Sequence, residues 1–137
     1  MAVDTQATAR VEFCISEREM EIFRALSGDT NPLHDDAAYA GRRGFGGRVV
    51  YGGLLIAQVS RLLGTRLPGH GCVWRSITLR FRAPLYVDEP ARLTGTVTHA
   101  NADLGVMNLK LRIEAGGRTV ADGEAAAILA RERADVA

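Results

Sequence analysis

The sequence predicts an α+β domain in which an antiparallel sheet wraps one long central helix. Three observations carry that prediction. Residues 53–63 place Leu54, Leu55, Ile56, Ala57, Val59, Leu62 and Leu63 around nearly the whole circumference of a helix, so this helix should be buried. After it, apolar residues switch to a period of two and keep it through four strands. Before it come one short strand and two helices, so helices cluster ahead of the strands instead of alternating with them. A meander closing round the buried helix is the simplest arrangement that covers it.

The first strand is predicted from Arg10 to Ile15, where Val11, Phe13 and Ile15 share one face. Ser16 and Glu19 follow in the S-x-x-E pattern, in which each side chain accepts from the other residue's backbone N–H and starts a helix. Met20, Phe23 and Leu26 give that helix one apolar stripe, and Gly28, free to take positive φ, stops it. Pro32 to about Ala40 reads as a second, short helix, with Asn31 as N-cap and Asp35 and Asp36 at its positive end. The glycine-rich stretch G-F-G-G-R-V-V-Y-G-G, residues 44–53, fits neither the dinucleotide fingerprint nor a P-loop, which argues against nucleotide binding. Beyond the central helix, Ile77, Leu79 and Phe81 alternate with Thr78, Arg80 and Arg82. Leu93 and Val97 mark the next strand, and Met107, Leu109, Leu111 and Ile113 the one after. Gly116 and Gly117 turn the chain into a last strand from Arg118 to about Leu129. Its Ala125, Ala126, Ala127 run faces a helix carrying Ser60 and Leu63, and small side chains there mean tight packing or a tunnel; we favour the tunnel.

Length and charge narrow the classes of function. At 137 residues and 47% hydrophobic, the chain is expected to form a single domain over residues 1–137 with a real core. A formal net charge of +1 with no run of like charges argues against nucleic-acid and membrane-surface partners. Residues 1–10 carry Asp4 and lack the apolar core of a signal peptide, and no apolar run approaches membrane-spanning length, so a cytoplasmic protein is expected. Cys14 and Cys72 lack C-x-x-C spacing, which argues against a zinc site and for reduced, packed thiols. His70 and His99, in a loop and near a strand end, read as structural or solvent-facing.

The most informative stretch is S-G-D-T-N-P-L-H, residues 27–34. It places the Asp29 carboxylate and the His34 imidazole five residues apart, in a segment stiffened by Gly28 where one helix stops and by Pro32, whose φ is fixed. A carboxylate and an imidazole on a stiff turn are what general acid/base catalysis requires.

This stretch, continued by D-D, with G-R-V-V-Y-G-G-L at residues 47–54 and S-R-L-L-G at residues 60–64, resembles the R-specific enoyl-CoA hydratases of the MaoC-like dehydratase family over about residues 13–130. The resemblance implies a hot dog fold, usually a homodimer, with Asp29 and His34 matching the catalytic pair and Gly52 matching the residue that binds the thioester carbonyl. It further implies that Ser60 supplies a hydroxyl beside the pocket and that Asn31 helps order the loop. One departure stands out: the family commonly has His immediately before the glycine that starts the central helix, and this chain has Tyr51. Tyrosine can still offer a hydrogen bond, and Gly53 beside it leaves space at the helix start, so Tyr51 is expected to affect substrate choice more than catalysis.

Adding water across a trans-2-enoyl thioester needs a base for the water, an acid for C2 and stabilisation of enolate charge on the carbonyl oxygen. Asp29 and His34 can grip one water and direct it at C3, while the proton Asp29 gains goes to C2 on the same face. Gly52 at the start of the central helix can aim its N–H at the thioester oxygen, with the helix dipole behind it. No metal or cofactor is required. The acyl group could ride on coenzyme A or on an acyl carrier protein, as in fatty acid or polyketide synthesis; arginines 42, 43, 48, 66, 75, 80 and 82 suit either. Two other readings stay open: a non-catalytic acyl-thioester-binding partner subunit, since one fold hosts many functions, and thioester hydrolysis. Retention of Asp29 and His34 argues against the first, and the D-x-N-P-x-H arrangement favours hydration over the second.

Overall fold

Five strands and three helices follow in the order β1 (Thr8–Phe13), α1 (Glu17–Ser27), α2 (Ala37–Arg42), α3 (Gly52–Thr65), β2 (Cys72–Phe81), β3 (Ala91–Asn101), β4 (Val106–Ala115) and β5 (Arg118–Leu129). They come from a computed structural model that describes residues 6–130. The strands form one antiparallel sheet in the spatial order β1-β3-β4-β5-β2. Only β3, β4 and β5 are a meander; β2 crosses to pair with β5, and β1 takes the far edge beside β3. The reason lies in residues 82–90, a connection long enough to carry the chain from one edge of the sheet across to the other.

The capping box at Ser16 forms as its spacing predicts: the Ser16 hydroxyl accepts from the Glu19 N–H at 3.2 Å, and the Glu19 carboxylate accepts from the Ser16 N–H at 2.9 Å. Gly28, at φ 74°, closes α1 by donating to the Arg24 carbonyl at 2.9 Å. The stripe on α1 is shorter than its spacing suggests, because Met20 is buried and Phe23 half-buried while Leu26 lies 81% exposed.

The second helix starts later than expected. Asp36, not Asn31, is its N-cap, accepting from the Tyr39 N–H at 3.0 Å with its own backbone extended. An aspartate that bonds the backbone ahead of it interrupts a helix begun upstream, so residues 32–35 make a turn and Asp35 and Asp36 do not form a first helical turn.

The central helix α3 lies against β1, β2 and β3 and buries Leu55, Val59, Leu62 and Leu63, one stripe at helical spacing. They meet Leu93, Val97, Leu109, Leu111 and Ile113 on the concave side of the sheet. Helix and sheet approach so closely that a Cβ at Gly95 would stand 2.9 Å from Leu62. The burial all round that the apolar count suggested is absent: Ala57 and Ser60 are exposed, and Leu54 and Ile56 only half-buried. Seven apolar residues encircle the axis, but one sheet covers one side.

The 82–90 connection is pinned by Arg118, which donates to both carboxylate oxygens of Glu89, at 2.8 and 2.6 Å, and to the Pro84 carbonyl at 2.7 Å. That guanidinium holds the Glu89 carboxyl below the usual carboxylate range. The pinned connection in turn fixes the segment before α3, since the Val50 N–H donates to the Leu85 carbonyl at 2.8 Å. Among the described residues no helix is long and apolar enough to cross a membrane.

Candidate active site

Residues 28–34 are shaped by their own polar side chains. The Asp29 N–H donates to the Ser27 hydroxyl at 3.1 Å, Asp29 Oδ1 accepts from the Asn31 N–H at 3.0 Å, and Asn31 Oδ1 accepts from the Leu33 N–H at 3.1 Å. These successive Asx turns need no regular element beneath them. With Oδ1 engaged, Asp29 directs Oδ2 toward His34, whose Nε2 lies 4.0 Å away. Asn31 Oδ1 thus closes the turn onto Leu33.

The other ring nitrogen of His34 is committed. Nδ1 lies 2.6 Å from the Val49 carbonyl oxygen, which can only accept, so Nδ1 carries the proton and donates. In the neutral ring Nε2 is then an acceptor, facing the Asp29 carboxylate at 4.0 Å. The two groups differ in exposure: the His34 side chain is 12% exposed and that of Asp29 45%.

Tyr51 sits behind this pair. Its hydroxyl donates to the Asp29 carbonyl at 2.9 Å, and its ring stacks on His34 with centroids 4.0 Å apart and planes 27° from parallel. Burial, and then the nearby Asp29 and Asp35 carboxylates, push its phenol above the ordinary tyrosine range. The space expected beside Gly53 is filled: a Cβ there would stand 2.3 Å from Phe23, whose ring lies 4.9 Å from that of Tyr51.

A cavity of about 360 Å³ opens in front of His34. Its walls are largely apolar, from Phe45, Val49, Val50, Leu55, Phe81, Pro84 and Leu85, with His34 and Arg82 as the polar side chains. Gly52 lines it at the first position of α3, where backbone N–H groups have no carbonyl one turn earlier and the dipole is positive. A Cβ at Gly52 would come within 3.0 Å of the Phe81 ring, so the glycine keeps this approach open.

Five of the residues singled out from sequence thus meet: Asp29, Asn31, His34, Tyr51 and Gly52. Three do not. Ser60 is exposed on the open side of α3, and Leu63 is buried between helix and sheet, 1% exposed, away from the cavity. Ala126 is a correction: Ala125 and Ala127 are the buried neighbours, and strand alternation turns Ala126 to the opposite, outer face beside Ser76 and Asn108. It cannot line a tunnel against α3. Tyr51 is corrected too, because it contacts the pair from behind and not the cavity. Sequence reasoning missed the Val49 carbonyl, which no side-chain pattern reports, and the cavity walls Phe45 and Leu85. Phe81 carried a signal, as the last apolar residue of an alternating strand.

A family model described as MaoC like domain matches residues 1–114. The chain is 35% identical over 111 residues to an (R)-specific enoyl-CoA hydratase of Rhodospirillum rubrum, covering 81% of this chain and 77% of that protein. It is 36% identical over 118 residues to an (R)-specific enoyl-CoA hydratase of Aeromonas caviae, covering 85% and 88%. A solved (R)-hydratase from A. caviae involved in PHA biosynthesis superposes with a TM-score of 0.88 at 34% identity, covering 93% of this chain and 98% of that one.

Proposed function

This chain belongs to the MaoC-like dehydratase family and has its hot dog fold, and from that premise we propose how its residues carry out the reversible hydration of trans-2-enoyl thioesters to (R)-3-hydroxyacyl thioesters. The protein is a hydro-lyase. The observation that carries the mechanism is the 4.0 Å gap between Asp29 Oδ2 and His34 Nε2, two acceptors facing one another, with His34 also lining the apolar cavity. A water between them donates one hydrogen bond to each.

In the hydration direction the water oxygen bonds to C3 as its proton passes to Asp29, and the C2=C3 electron pair moves toward the thioester carbonyl. The enolate that forms collects charge on the carbonyl oxygen, where the Gly52 N–H and the positive end of α3 stabilise it; donors of this kind are typically worth about 3–4 kcal/mol. Asp29 returns its proton to C2 on the face the water came from, and the ledger of atoms closes with one water added. His34, its Nδ1 proton held by Val49, aims the water. The apolar walls suit an acyl chain.

A homodimer is part of the same reading. Its support is the uncovered side of α3 together with β2, an edge strand that carries Val73 at 52% and Phe81 at 54% exposure. Ser60, on that uncovered side, would then lie in the interface.

The decisive experiment follows loss of the enoyl chromophore with crotonyl-CoA, with longer trans-2-enoyl-CoAs and with crotonyl on an acyl carrier protein. Hydration of the coenzyme A thioesters with (R) product supports the reading, and faster turnover of the carrier-protein thioester would move the substrate to that carrier. Release of free thiol without hydration would replace it with thioester hydrolysis.

A further inference from the structure

Asp29 belongs to no helix or strand, and two of its three hydrogen bonds stay inside its own turn, to Ser27 and Asn31. The third, from the Tyr51 hydroxyl to its carbonyl at 2.9 Å, reaches it from 22 residues along the chain. The same side chain lies flat against the His34 ring. Tyr51 is 2% exposed, backed by Phe23, and adjoins Gly52 at the start of α3. One rigid ring therefore touches both members of the pair and is covalently continuous with the helix end that faces the thioester oxygen. We propose that Tyr51 is a positioning residue that sets the separation of Asp29 and His34 and ties both to the N-terminus of α3.

This inference rests on the assignment of Asp29 and His34 as the pair that activates water. The chemistry depends on a gap of one water, and misplacing a reacting group by about 1 Å can cost about 10²-fold. Local Asx turns fix the shape of residues 29–33; the bonds between Val49 and Leu33 and His34 tie its far end to the strand-like approach to α3, and the Tyr51 hydrogen bond is the one that ties Asp29 itself. The depression of phenol acidity by burial and by Asp29 and Asp35 keeps the hydroxyl protonated, as a donor must be.

The experiment compares Tyr51→Phe, Tyr51→Leu and, in parallel, Asp29→Asn in the full chain with crotonyl-CoA. Tyr51→Phe keeps the ring and deletes only the hydroxyl, so kcat should fall about 10-fold with KM within about twofold and full folding at the assay temperature. Tyr51→Leu should lose more, and it should also remove the ring-current shift that the stacked phenol imposes on the His34 ring protons in NMR spectra. A kcat for Tyr51→Phe within twofold of wild type overturns the proposal. So does a rise in KM at unchanged kcat, which would make Tyr51 a substrate contact, or His34 proton shifts untouched in Tyr51→Leu. An active Asp29→Asn variant would instead defeat the catalytic pair itself, whatever Tyr51 does.

Discussion

The β3–β4–β5 meander and the segment from Gly28 to Tyr51 are held together by different means, and the difference separates what stabilises this protein from what it does. In the meander backbone groups find their partners through register, broken by irregularities at Val97/His99 and Ile113/Glu114, and the inner face is closed by Leu93, Val97, Leu109, Leu111 and Ile113, each at most 1% exposed. Such burial is distributed, so no single side chain decides the fold. The 28–51 segment has one short helix and few buried side chains. What places it is a handful of directional bonds: Tyr51 to Asp29, His34 to Val49, and Val50 to Leu85. There, one atom removed changes the geometry of the reacting groups while leaving the core nearly intact.

The largest expected effects break the comparison in opposite directions. Asp29→Asn and His34→Ala should each lower kcat by roughly 10²- to 10⁴-fold, because each removes a proton-handling group; Asp29→Asn, in an exposed turn, should melt close to wild type, whereas His34→Ala deletes a side chain only 12% exposed together with its bond to Val49 and should melt lower. Their combination should cost far less than the product of the two, since both act on the same water. Leu109→Ala should do the reverse, destabilising by about 2–5 kcal/mol through the cavity it leaves while the folded fraction keeps its kcat. Steady-state kinetics beside urea unfolding test the pair, and near-wild-type turnover in either site variant would remove Asp29 and His34 from the mechanism.

The same contrast explains what could be read from the sequence. The strands were legible because burial on one face imposes a period of two, and β5 runs from Arg118 to Leu129 as its pattern indicates. Asp29, Asn31, His34 and Gly52 were legible as a motif whose residue types fix their own turns. Three things were not. Strand order depends on where the 82–90 connection runs, and its anchor, Arg118 on Glu89, is a contact between residues 29 apart. An encircling apolar pattern on α3 says which residues want cover without saying whether this sheet or another surface provides it. The alanine run at 125–127 offers no size difference from which to tell inward from outward, so Ala126 was placed on the wrong face.

A middle-sized effect concerns the link between the two regions. Glu89 has its carboxyl held below the ordinary glutamate value, about 4.3, first by the hydrogen bond from Arg118. A folded-state pKa below the unfolded one means the unfolded chain binds the proton more readily. The contribution is therefore fully present above the unfolded value and is lost as pH falls through the folded one. Urea midpoints should drop on acidification below about pH 5, and Glu89→Gln should lower stability at pH 7 while flattening part of that acid limb. Both groups are under one-third exposed, so moderate salt should leave most of the effect in place. An acid limb of unchanged steepness in Glu89→Gln would assign it to other carboxylates.

The smallest expected effect is the sharpest test of which face is which. Ala126 on β5 sits between Ser76 and Asn108 on the outer side of the sheet, while its neighbours Ala125 and Ala127 are buried on the opposite side. Replacing Ala126 with Phe adds a ring to a partly exposed surface of polar residues, where substitutions usually change stability by no more than about 0.5 kcal/mol. Replacing Ala127, which is fully buried, with Phe forces the same ring into close-packed surroundings, at a typical cost of about 1–3 kcal/mol and more where the backbone cannot yield. If the acyl chain lies in the cavity in front of His34, neither change alters chain-length preference directly, and Ala126→Phe should leave the ratio of four-carbon to eight-carbon turnover within about twofold of wild type. Selective loss of the longer substrate in Ala126→Phe, with its melting temperature unchanged, would put the acyl tail against β5 after all and reverse the orientation assigned to that strand.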